Sequence, residues 1–392
     1  MRPRAGSKAL IREINEALVL DVVRAHRPVA RARIATETGL SPATVTGITA
    51  RLLGAGLLTE TDAVRNTGGR PARLLDLGTD AVVAAGVRLS DTEAYVVLVD
   101  LRGEVVASHQ EPLTSTRPQD VGEGIARAVG LAAASRPSST LIGVGVAVSG
   151  VVDQQSGVVR HSGSMGWEDV ALQRRLTALL ETPVVLDSYV NSVASGLLLF
   201  DGRLAGRDLM IFSVGASLGA SVVVRGRVHR GFSGTAGGFA HSSVGRGTGR
   251  PCHCGAEDCL ETWASHWGIR RELERRGETA GSLVGRDDDV LASAADCLGT
   301  AVANAAKMFG PERVVLAFTP EMNVPALTAR TEQVFRRQYA HGTTPPPALE
   351  IAATGPSGHA SGAAYTVLAQ LFTAGTSEAE TTGARSTTLT VG

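Results

Sequence analysis

The chain has 392 residues, of which 43% are hydrophobic and 19% are charged, and its formal net charge is zero. This length and apolar content predict a globular protein of two or three domains and exclude an intrinsically disordered chain. No apolar run reaches the roughly 18 residues that span a bilayer, and charges interrupt the N-terminal segment, so we expect no membrane helix, no signal peptide and a cytoplasmic location.

Charge is distributed unevenly along the chain. Residues 1–78 carry 12 Lys or Arg against 7 Asp or Glu, whereas the remaining 314 residues carry 26 against 31. A basic N-terminal module therefore precedes a mildly acidic body. This asymmetry indicates a nucleic-acid partner, although a merely solvated surface can carry the same balance.

The N-terminal module has the pattern of a helix-turn-helix. Apolar residues recur at helical spacing from Leu10 to Val23, which predicts a first helix that ends before Pro28. In the following stretch Gly39 suits a tight turn, Ser41 is a good N-cap and Pro42 fits the first helical position. Two short strands, "LLTE" and "ARLLDL", flank the tip "TDAVRNTGGRP" and complete a wing.

The second helix of this motif carries short side chains that allow it to lie deep in the major groove of double-stranded DNA. Arginines of the wing would place cations beside phosphates or in the minor groove. The predicted DNA-contacting residues are Arg33, Ser41, Ala43, Thr44, Thr46, Gly47, Arg51, Arg65, Arg70 and Arg73. The alternative is a small helical dimerisation domain.

The body of the protein begins at about residue 82, where short β-rich runs alternate with helices. "AVVAAGVRLSDTEAYVVLVDLRGEVVASHQEPL" predicts three successive strands, and "DLMIFSVGASLGASVVVRGRVHRG" repeats the hairpin further along. Each of these blocks continues into alternating helices and strands. The pattern predicts a duplicated α/β unit with a ligand cleft between its halves.

These residues resemble the ROK family, a group of repressors, uncharacterised frames and sugar kinases with an actin/hexokinase-like fold. The resemblance runs from Glu13 to about Phe372 and is carried by "TGLSPATVTGITARLLGAGLL", "GGRPARLL", "VSGVVD", "GW" and "CHCGAEDCLE". It implies the repressor branch, with a winged helix-turn-helix over residues 1–80 and α/β subdomains over 81–195 and 196–360. A helix at about 360–372 could return to the first subdomain, and 373–392 read as a disordered tail.

Three of the four cysteines lie close together, at Cys252, Cys254 and Cys259. In a reducing compartment such a cluster is more often a metal site than a set of disulfides, and Gly255 allows a turn that lets the sulfurs converge. The family resemblance implies His241 as the fourth ligand. Four protein ligands leave no open coordination position, so we predict a structural zinc ion; a reduced, metal-free cluster is the alternative.

The kinase members of the family differ from this chain at positions needed for catalysis. Arg88 stands where the first phosphate loop has an Asp, and Ser90 and Asp91 replace its glycines. Tyr189 occupies the place of the catalytic Asp, and a phenol with a pKa near ~10 is a poor base at neutral pH. Asp187 would share a strand face with Tyr189 but be displaced by ~6 to 7 Å. We therefore predict no catalytic residue, no enzyme activity and no ATP binding.

The sugar-binding positions implied by the resemblance have mostly lost their acceptor groups. A buried sugar hydroxyl left unpaired costs about 1 to 3 kcal/mol, so a plain hexose should bind weakly. A larger, more apolar or anionic effector is one alternative, and the absence of any effector is another. The candidate effector-binding residues are Arg88, Ser164, Ser188, Tyr189, Asn191, Gly238, His241 and Glu261.

The sequence thus predicts a DNA-binding transcriptional regulator, a repressor of carbohydrate-related or other metabolic genes. Its degenerate kinase-like body would bind a small-molecule effector and contain the zinc site. Because one helix-turn-helix reads few base pairs, we expect a homodimer or a dimer of dimers on a palindromic operator. The alternative is a sugar kinase with a vestigial DNA-binding module.

Overall fold

The computed structural model describes residues 8–62, 73–279, 281–286, 288–339 and 345–373, and it is an α/β structure. The chain forms two compact units. Of the described residues, the first unit contains those up to 147, 172–186 and 360–373, and the second contains those within 148–171 and 187–359. Among the described residues, no helix is both long and apolar enough to cross a membrane.

Residues 8–62 and 73–77 of the first unit form a small module that we call the head. Its elements are α1 (Lys8–His26), β1 (Val29–Ala30), α2 (Arg31–Thr38), α3 (Pro42–Gly54), β2 (Leu58–Asp62) and β3 (Arg73–Leu77). The three strands pair in the antiparallel order β1-β3-β2. The predicted helix-turn-helix followed by strands is therefore confirmed, whereas Arg65 and Arg70 of the predicted wing tip lie outside the described residues.

Local sequence explains the turn between α2 and α3. Gly39 has a φ of 69°, in the left-handed region that favours glycine, and its N–H closes α2 by donating to the carbonyl of Ala35. Ser41 caps α3 because its Oγ accepts from the backbone N–H of Thr44 at 3.1 Å, and Pro42 follows at the first helical position. The buried side chains beneath the two helices are Ile34, Val45, Ile48 and Leu52.

The body begins with strand β4. Its elements in chain order are β4 (Val82–Leu89), β5 (Glu93–Val99), β6 (Val105–Pro112), α4 (Pro118–Ala134), β7 (Thr140–Val148), β8 (Val151–Asp153), β9 (Val158–Ser162), β10 (Trp167–Val170), α5 (Leu172–Leu180), β11 (Val184–Ser188), α6 (Tyr189–Phe200), β12 (Leu209–Val214), β13 (Leu218–Val224), β14 (Arg227–His229), α7 (Glu261–Ala264), α8 (His266–Arg275), α9 (Asp289–Phe309), β15 (Arg313–Phe318), α10 (Pro325–Tyr339), β16 (Ala348–Ala353) and α11 (Pro356–Phe372).

The body contains two five-stranded sheets in which corresponding strands occupy corresponding positions. The first is β11-β7-β4-β5-β6 and the second is β16-β15-β12-β13-β14. In each sheet the first three strands in sequence form an antiparallel meander, and two later strands extend the sheet on the other side. The predicted duplicated α/β architecture is confirmed. A smaller sheet, β10-β9-β8, belongs to the second unit.

The last helix, α11, lies directly against the first sheet through residues 360–372. A Cβ built on Gly86 of β4 would be 1.9 Å from the carbonyl oxygen of Ala360. A Cβ built on Gly145 of β7 would be 1.8 Å from the carbonyl oxygen of Ala363. Since real Cβ atoms do not approach backbone so closely, glycine at these two positions is what lets the helix sit on the strands.

Candidate functional site

Helix α3 presents the predicted row of small side chains to solvent. Ala43, Thr44, Thr46 and Gly47 are all exposed, as is the capping residue Ser41. Thr46 Oγ1 donates to the carbonyl of Pro42 at 2.8 Å, so this hydroxyl stays close to the helix surface. Helix α3 therefore has an exposed face of short side chains, of the kind that fits a DNA groove.

The described arginines predicted to contact DNA are already bonded to neighbouring groups. Arg51 donates to Oε1 of Glu16 at 2.8 and 3.0 Å. Arg73 lies 2.7 Å from Oε2 of Glu60. Arg33 lies 3.5 Å from Glu37 and also contacts His26. These are solvent-accessible pairs, which contribute little to stability and can exchange a carboxylate for a phosphate.

Arg31 is a residue of the head that the sequence analysis missed. It is the first residue of α2, and its Nε donates to Oγ1 of buried Thr49 on α3 at 3.2 Å. Its Nη2 donates to Oε1 of Glu60 on β2 at 2.7 Å. Arg31 therefore joins the two helices of the motif to the strand pair, a contact across 29 residues that local sequence does not reveal.

In the second unit, His241, Cys252, Cys254 and Cys259 converge as predicted. One ligand atom from each lies within 4.8 Å of the others. Nδ1 of His241 is 3.6 Å from Sγ of Cys252, and Sγ of Cys254 is 3.6 Å from Sγ of Cys259. A tetrahedral zinc ion with Zn–S of ~2.3 Å requires ligand separations of about 3.6 to 3.8 Å, so the side chains fit such an ion.

The loop that carries the cysteines is held by hydrogen bonds of its own. The buried carboxylate of Asp258 accepts from the hydroxyl of Thr248 at 2.6 Å. It also accepts from the backbone N–H groups of Thr248, Gly249 and Arg250 at 2.7, 2.9 and 3.2 Å. The guanidinium of Arg250 lies 3.5 Å from the ring centre of Trp263. The hydrogen bonds to Asp258 and the cation–π contact of Arg250 with Trp263 thus hold the loop that carries the cysteines.

Cys297 lies apart from this cluster. It is buried within α9 at 5% exposure, as predicted for an ordinary core thiol.

Tyr189 and Asp187 do not share a strand face, which corrects the sequence analysis. Strand β11 ends at Ser188, which caps α6 by accepting from the N–H of Asn191 at 3.3 Å. Tyr189 is the first residue of α6, and its ring stacks on His359 with centroids 5.2 Å apart. The Ser188 and Asn191 spacing is an N-cap signal that could have shown this helix start.

The carboxylate of Asp187 is instead occupied by other groups of the second unit. Its Oδ2 accepts from Nη2 and Nε of Arg230 at 2.6 and 3.0 Å and from Nε2 of Gln154 at 3.1 Å. Its Oδ1 accepts from Nδ2 of Asn191 at 2.9 Å. Asp187 is 1% exposed. Both oxygens of this carboxylate are therefore occupied by protein donors.

The predicted effector residues are divided between the units. Arg88 lies on β4 of the first unit, where its Nη1 is 2.9 Å from Oε1 of Glu93. The second unit contains Ser164, Ser188, Tyr189, Asn191, Gly238, His241 and Glu261. A Cβ built on Gly238 meets no atom of the described residues within 4 Å, so a side chain there would have room.

Glu261 is buried at the start of α7. Its Oε2 accepts from the backbone N–H of Leu218 at 2.8 Å, and burial raises the pKa of the carboxyl to about 7. One of its oxygens is therefore used to join α7 to β13.

His253, between two of the cysteines, is exposed to solvent, but its ring also contacts neighbouring residues. A Cβ built on Gly163 would be 3.0 Å from Cδ2 of His253. The ring of His253 meets the rings of His241 and Trp267 edge-on, each with centroids 5.3 Å apart. His253 thus links the cysteine loop to the Gly163–Ser164 segment, which sequence reasoning missed.

Comparisons with known proteins agree with this architecture. The sequence pattern of the ROK family matches residues 84–370. Over 333 residues the chain is 29% identical to the DNA-binding transcriptional dual regulator NagC of Escherichia coli K12, covering 80% of this chain and 82% of that protein. Over 347 residues it is 23% identical to the xylose repressor of Bacillus subtilis 168, covering 86% of this chain and 90% of that protein.

Solved structures share the fold. A ROK family transcriptional regulator, a homolog of the E. coli MLC protein, has a TM-score of 0.75 and 24% identity, covering 93% of this chain and 98% of its own. The ROK hexokinase from Thermus thermophilus has a TM-score of 0.62 and 24% identity, covering 73% and 97%. The match to the regulator is the one that extends over more of this chain.

Proposed function

Because the chain belongs to the ROK family, we propose that it is a sequence-specific DNA-binding transcriptional regulator that represses metabolic genes. The observation that carries this proposal is the exposed face of α3, with small polar side chains on a capped helix held against a strand pair. Relatives that match four fifths or more of the chain are named as a transcriptional regulator and a repressor.

The DNA contacts proposed for the head follow from its geometry. The N-terminal part of α3, with Ser41, Thr44 and Thr46, would enter the major groove, and the cap leaves backbone N–H groups near a phosphate. Arg33, Arg51 and Arg73 would contact phosphates by exchanging their solvent-accessible carboxylate partners for them.

We assign a structural role to zinc at His241, Cys252, Cys254 and Cys259. Bound there, the ion would fix the loop that already depends on Asp258 and Arg250. All four positions of a tetrahedral ion would be filled by protein, so the ion would supply no chemistry to a substrate.

The kinase-like body acts in this proposal as a binding domain without catalysis. Tyr189 begins a helix where the kinases have their catalytic Asp, the general base, and the nearby carboxylate of Asp187 is paired with Arg230. A hexokinase shares the fold, so the competing assignment is a sugar kinase. The regulator is favoured because the described part of the head contains a capped helix-turn-helix and because the carboxylate of Asp187 is occupied by Arg230.

The effector would be a metabolite that tolerates the altered site of the second unit. Gly238 leaves open space, and the aromatic ring of His253, in edge-on contact with Trp267, lies beside Gly163. This arrangement favours a sugar derivative with a bulky or flat substituent over a plain hexose. The protein would act in the cytoplasm as a homodimer or a dimer of dimers on palindromic sites.

The test is selection of genomic fragments on the purified full-length protein loaded with zinc, followed by sequencing of the retained fragments. We expect enrichment of a few sites that share an inverted repeat, retained in the presence of heparin. Retention that is independent of sequence and disappears as salt rises would contradict the proposal, because phosphate contacts alone behave in that way.

A further inference from the structure

The head contacts the rest of the first unit at places beyond its covalent connection. The chain leaves the head after Leu77 and enters β4 at Val82, so four residues join them. The connection is bonded on both sides, since the N–H of Gly78 donates to the carbonyl of Leu57 at 2.9 Å and Nη2 of Arg136 lies 3.0 Å from Oδ1 of Asp80. Two further elements reach the head: the turn between β5 and β6, residues 100–104, and the C-terminal end of α11.

Arg102 is the residue of this turn that contacts the head. Its Nη2 lies 3.1 Å from Oδ2 of Asp76, and its Nε donates to the carbonyl of Leu77 at 3.3 Å. Both partners belong to the end of β3. Nη2 of Arg27, in the segment after α1, lies 3.5 Å from the carbonyl oxygen of Arg102. One turn of the body therefore contacts the strand pair and the helical part of the head.

The turn itself has a fixed shape. The buried carboxylate of Asp100 accepts from the backbone N–H groups of Arg102 and Glu104, both at 2.9 Å. Gly103 has a φ of 84°, which favours glycine, and its N–H donates to the carbonyl of Asp100. The hydroxyl of Tyr365 on α11 donates to the carbonyl of Gly103 at 2.8 Å. Arg102 is thus presented by a turn that is bonded to α11.

A second contact lies at the end of α11. The guanidinium of Arg24 on α1 lies 5.6 Å from the ring centre of Phe372. Because α11 rests on the sheet through Gly86 and Gly145, both contacts are made by a rigid part of the unit. A body held at two separated points, in addition to its connection, cannot rotate freely.

We propose that Arg102, presented by the turn that Tyr365 holds, is a positioning residue that fixes the direction of the head and thereby sets the half-site spacing that a dimer can read. This inference rests on the proposed function. A dimer whose heads have fixed directions accepts one separation of half-sites, whereas heads that swing on short connections accept several.

The test uses the full-length, zinc-loaded protein and duplexes that carry two copies of the half-site enriched by genomic selection. The separation of the copies is varied in single base-pair steps over about one helical turn, 10 base pairs. Affinities are measured for the wild type, Arg102→Ala, Tyr365→Phe and the control Arg127→Ala, which removes an exposed pair with Glu111 on the same unit.

We expect the wild type to prefer one spacing. Arg102→Ala should reduce that preference about tenfold, since two contacts are lost in each protomer, and Tyr365→Phe should reduce it less. Binding to a single half-site and the profile of Arg127→Ala should not change. Tyr365→Phe removes one oxygen, so it tests the inference even if Arg102→Ala folds poorly.

Unchanged spacing profiles for both Arg102→Ala and Tyr365→Phe would overturn the inference. So would an equal loss of affinity at every spacing, because that would place the effect within the head. Failure of the wild type to enrich any site would instead reject the proposed function, and the two failures are therefore distinguishable.

Discussion

The guanidinium of Arg230 lies 2.6 Å from the carboxylate of Asp187, a residue 43 positions earlier in the chain. Asp187 is 1% exposed, whereas Arg230 is 28% exposed. Removing the arginine leaves a buried carboxylate without its cation, which is more costly than exposing an arginine.

We therefore expect Arg230→Ala to lower the free energy of unfolding by about 2 to 4 kcal/mol, measured by urea denaturation. Adding Asp187→Asn should recover part of this loss, because the buried charge is then removed. The control is Arg203→Ala, which breaks the exposed pair with Asp201 and should cost about 1 kcal/mol or less. Equal losses for the two arginines would contradict the expectation.

The same contact bears on catalysis. With Asp187 bonded to Arg230, Gln154 and Asn191, we expect the wild-type protein to transfer no phosphate from ATP to any common hexose. The measurement is release of ADP with a panel of hexoses. Activity in the wild type that disappears in Asp187→Asn would show that this carboxylate acts as a base and that the kinase assignment is correct.

Zinc content provides a prediction with a matched control. Cys254→Ser removes one of the four converging ligands, and we expect the purified variant to lose most of the zinc that the wild type should bind at this cluster and to melt at a lower temperature. Cys297→Ser changes a buried cysteine of α9 and should keep the zinc, even if it lowers stability. Metal content is measured by elemental analysis. Full zinc occupancy in Cys254→Ser would contradict the assigned ligand set.

Low pH should weaken the ion pairs between the buried carboxylate of Glu272 and its neighbouring arginines. Hydrogen bonding from Arg275 and Arg276, together with the charge of Arg250, lowers the pKa of the Glu272 carboxyl to about 2. The pKa of an unfolded glutamate is about 4.3, so this carboxylate stabilises the fold above that pH. The contribution is lost as the pH falls from about 4.3 to about 2.

Unfolding by urea at pH 6 and pH 3 tests this. Glu272→Gln should cost about 1 to 2 kcal/mol at pH 6, discounted because Arg275 is mostly exposed, and less at pH 3. Glu332→Gln, which removes an exposed pair with Arg336, serves as the control and should change stability little at either pH. A cost of Glu272→Gln that is constant between the two pH values would exclude this carboxylate as the group responsible.

Substitution of Gly47 should change the affinity for DNA without lowering the stability of the protein. A Cβ built there meets no atom of the described residues within 4 Å, so Gly47→Gln should keep or raise stability by up to about 1 kcal/mol through better helix propensity. On the face that enters the groove, the added side chain should weaken binding to the selected operator about tenfold.

Gly130→Gln provides the comparison for Gly47. Gly130 lies on an exposed face of α4 and has the same open surroundings. The substitution should give the same gain in stability without changing DNA affinity. Equal effects of the two substitutions on DNA affinity would contradict the prediction that α3 contacts DNA.

Much of the fold could be predicted where the signals are local. Gly39, Ser41 and Pro42 set the turn and the start of α3 because each acts on its own backbone. The spacing of Cys252, Cys254 and Cys259 similarly placed three sulfurs on one short loop. Repetition of the hairpin pattern indicated the duplicated sheets.

Contacts between distant segments could not be predicted in this way. The pairing of Asp187 with Arg230, and that of Arg102 with Asp76, depends on how strands are placed in the folded unit. The run "VVL" at residues 184–186 predicts a strand that the sequence analysis extends to Tyr189, yet the cap at Ser188 starts a helix. The N-cap at Ser188 is a local signal that competes with the strand pattern, and it sets the boundary between β11 and α6.

The return of α11 to the first sheet has a consequence for synthesis on the ribosome. The ribosome synthesises residues 148–171 and 187–359, which form the second unit, before it synthesises the part of α11 from residue 360, which belongs to the first unit. The first sheet therefore keeps Gly86 and Gly145 uncovered until residues 360–372 have been synthesised. A nonsense mutation just before codon 360 would spare every zinc ligand and the whole head, yet would leave the first sheet without its covering helix.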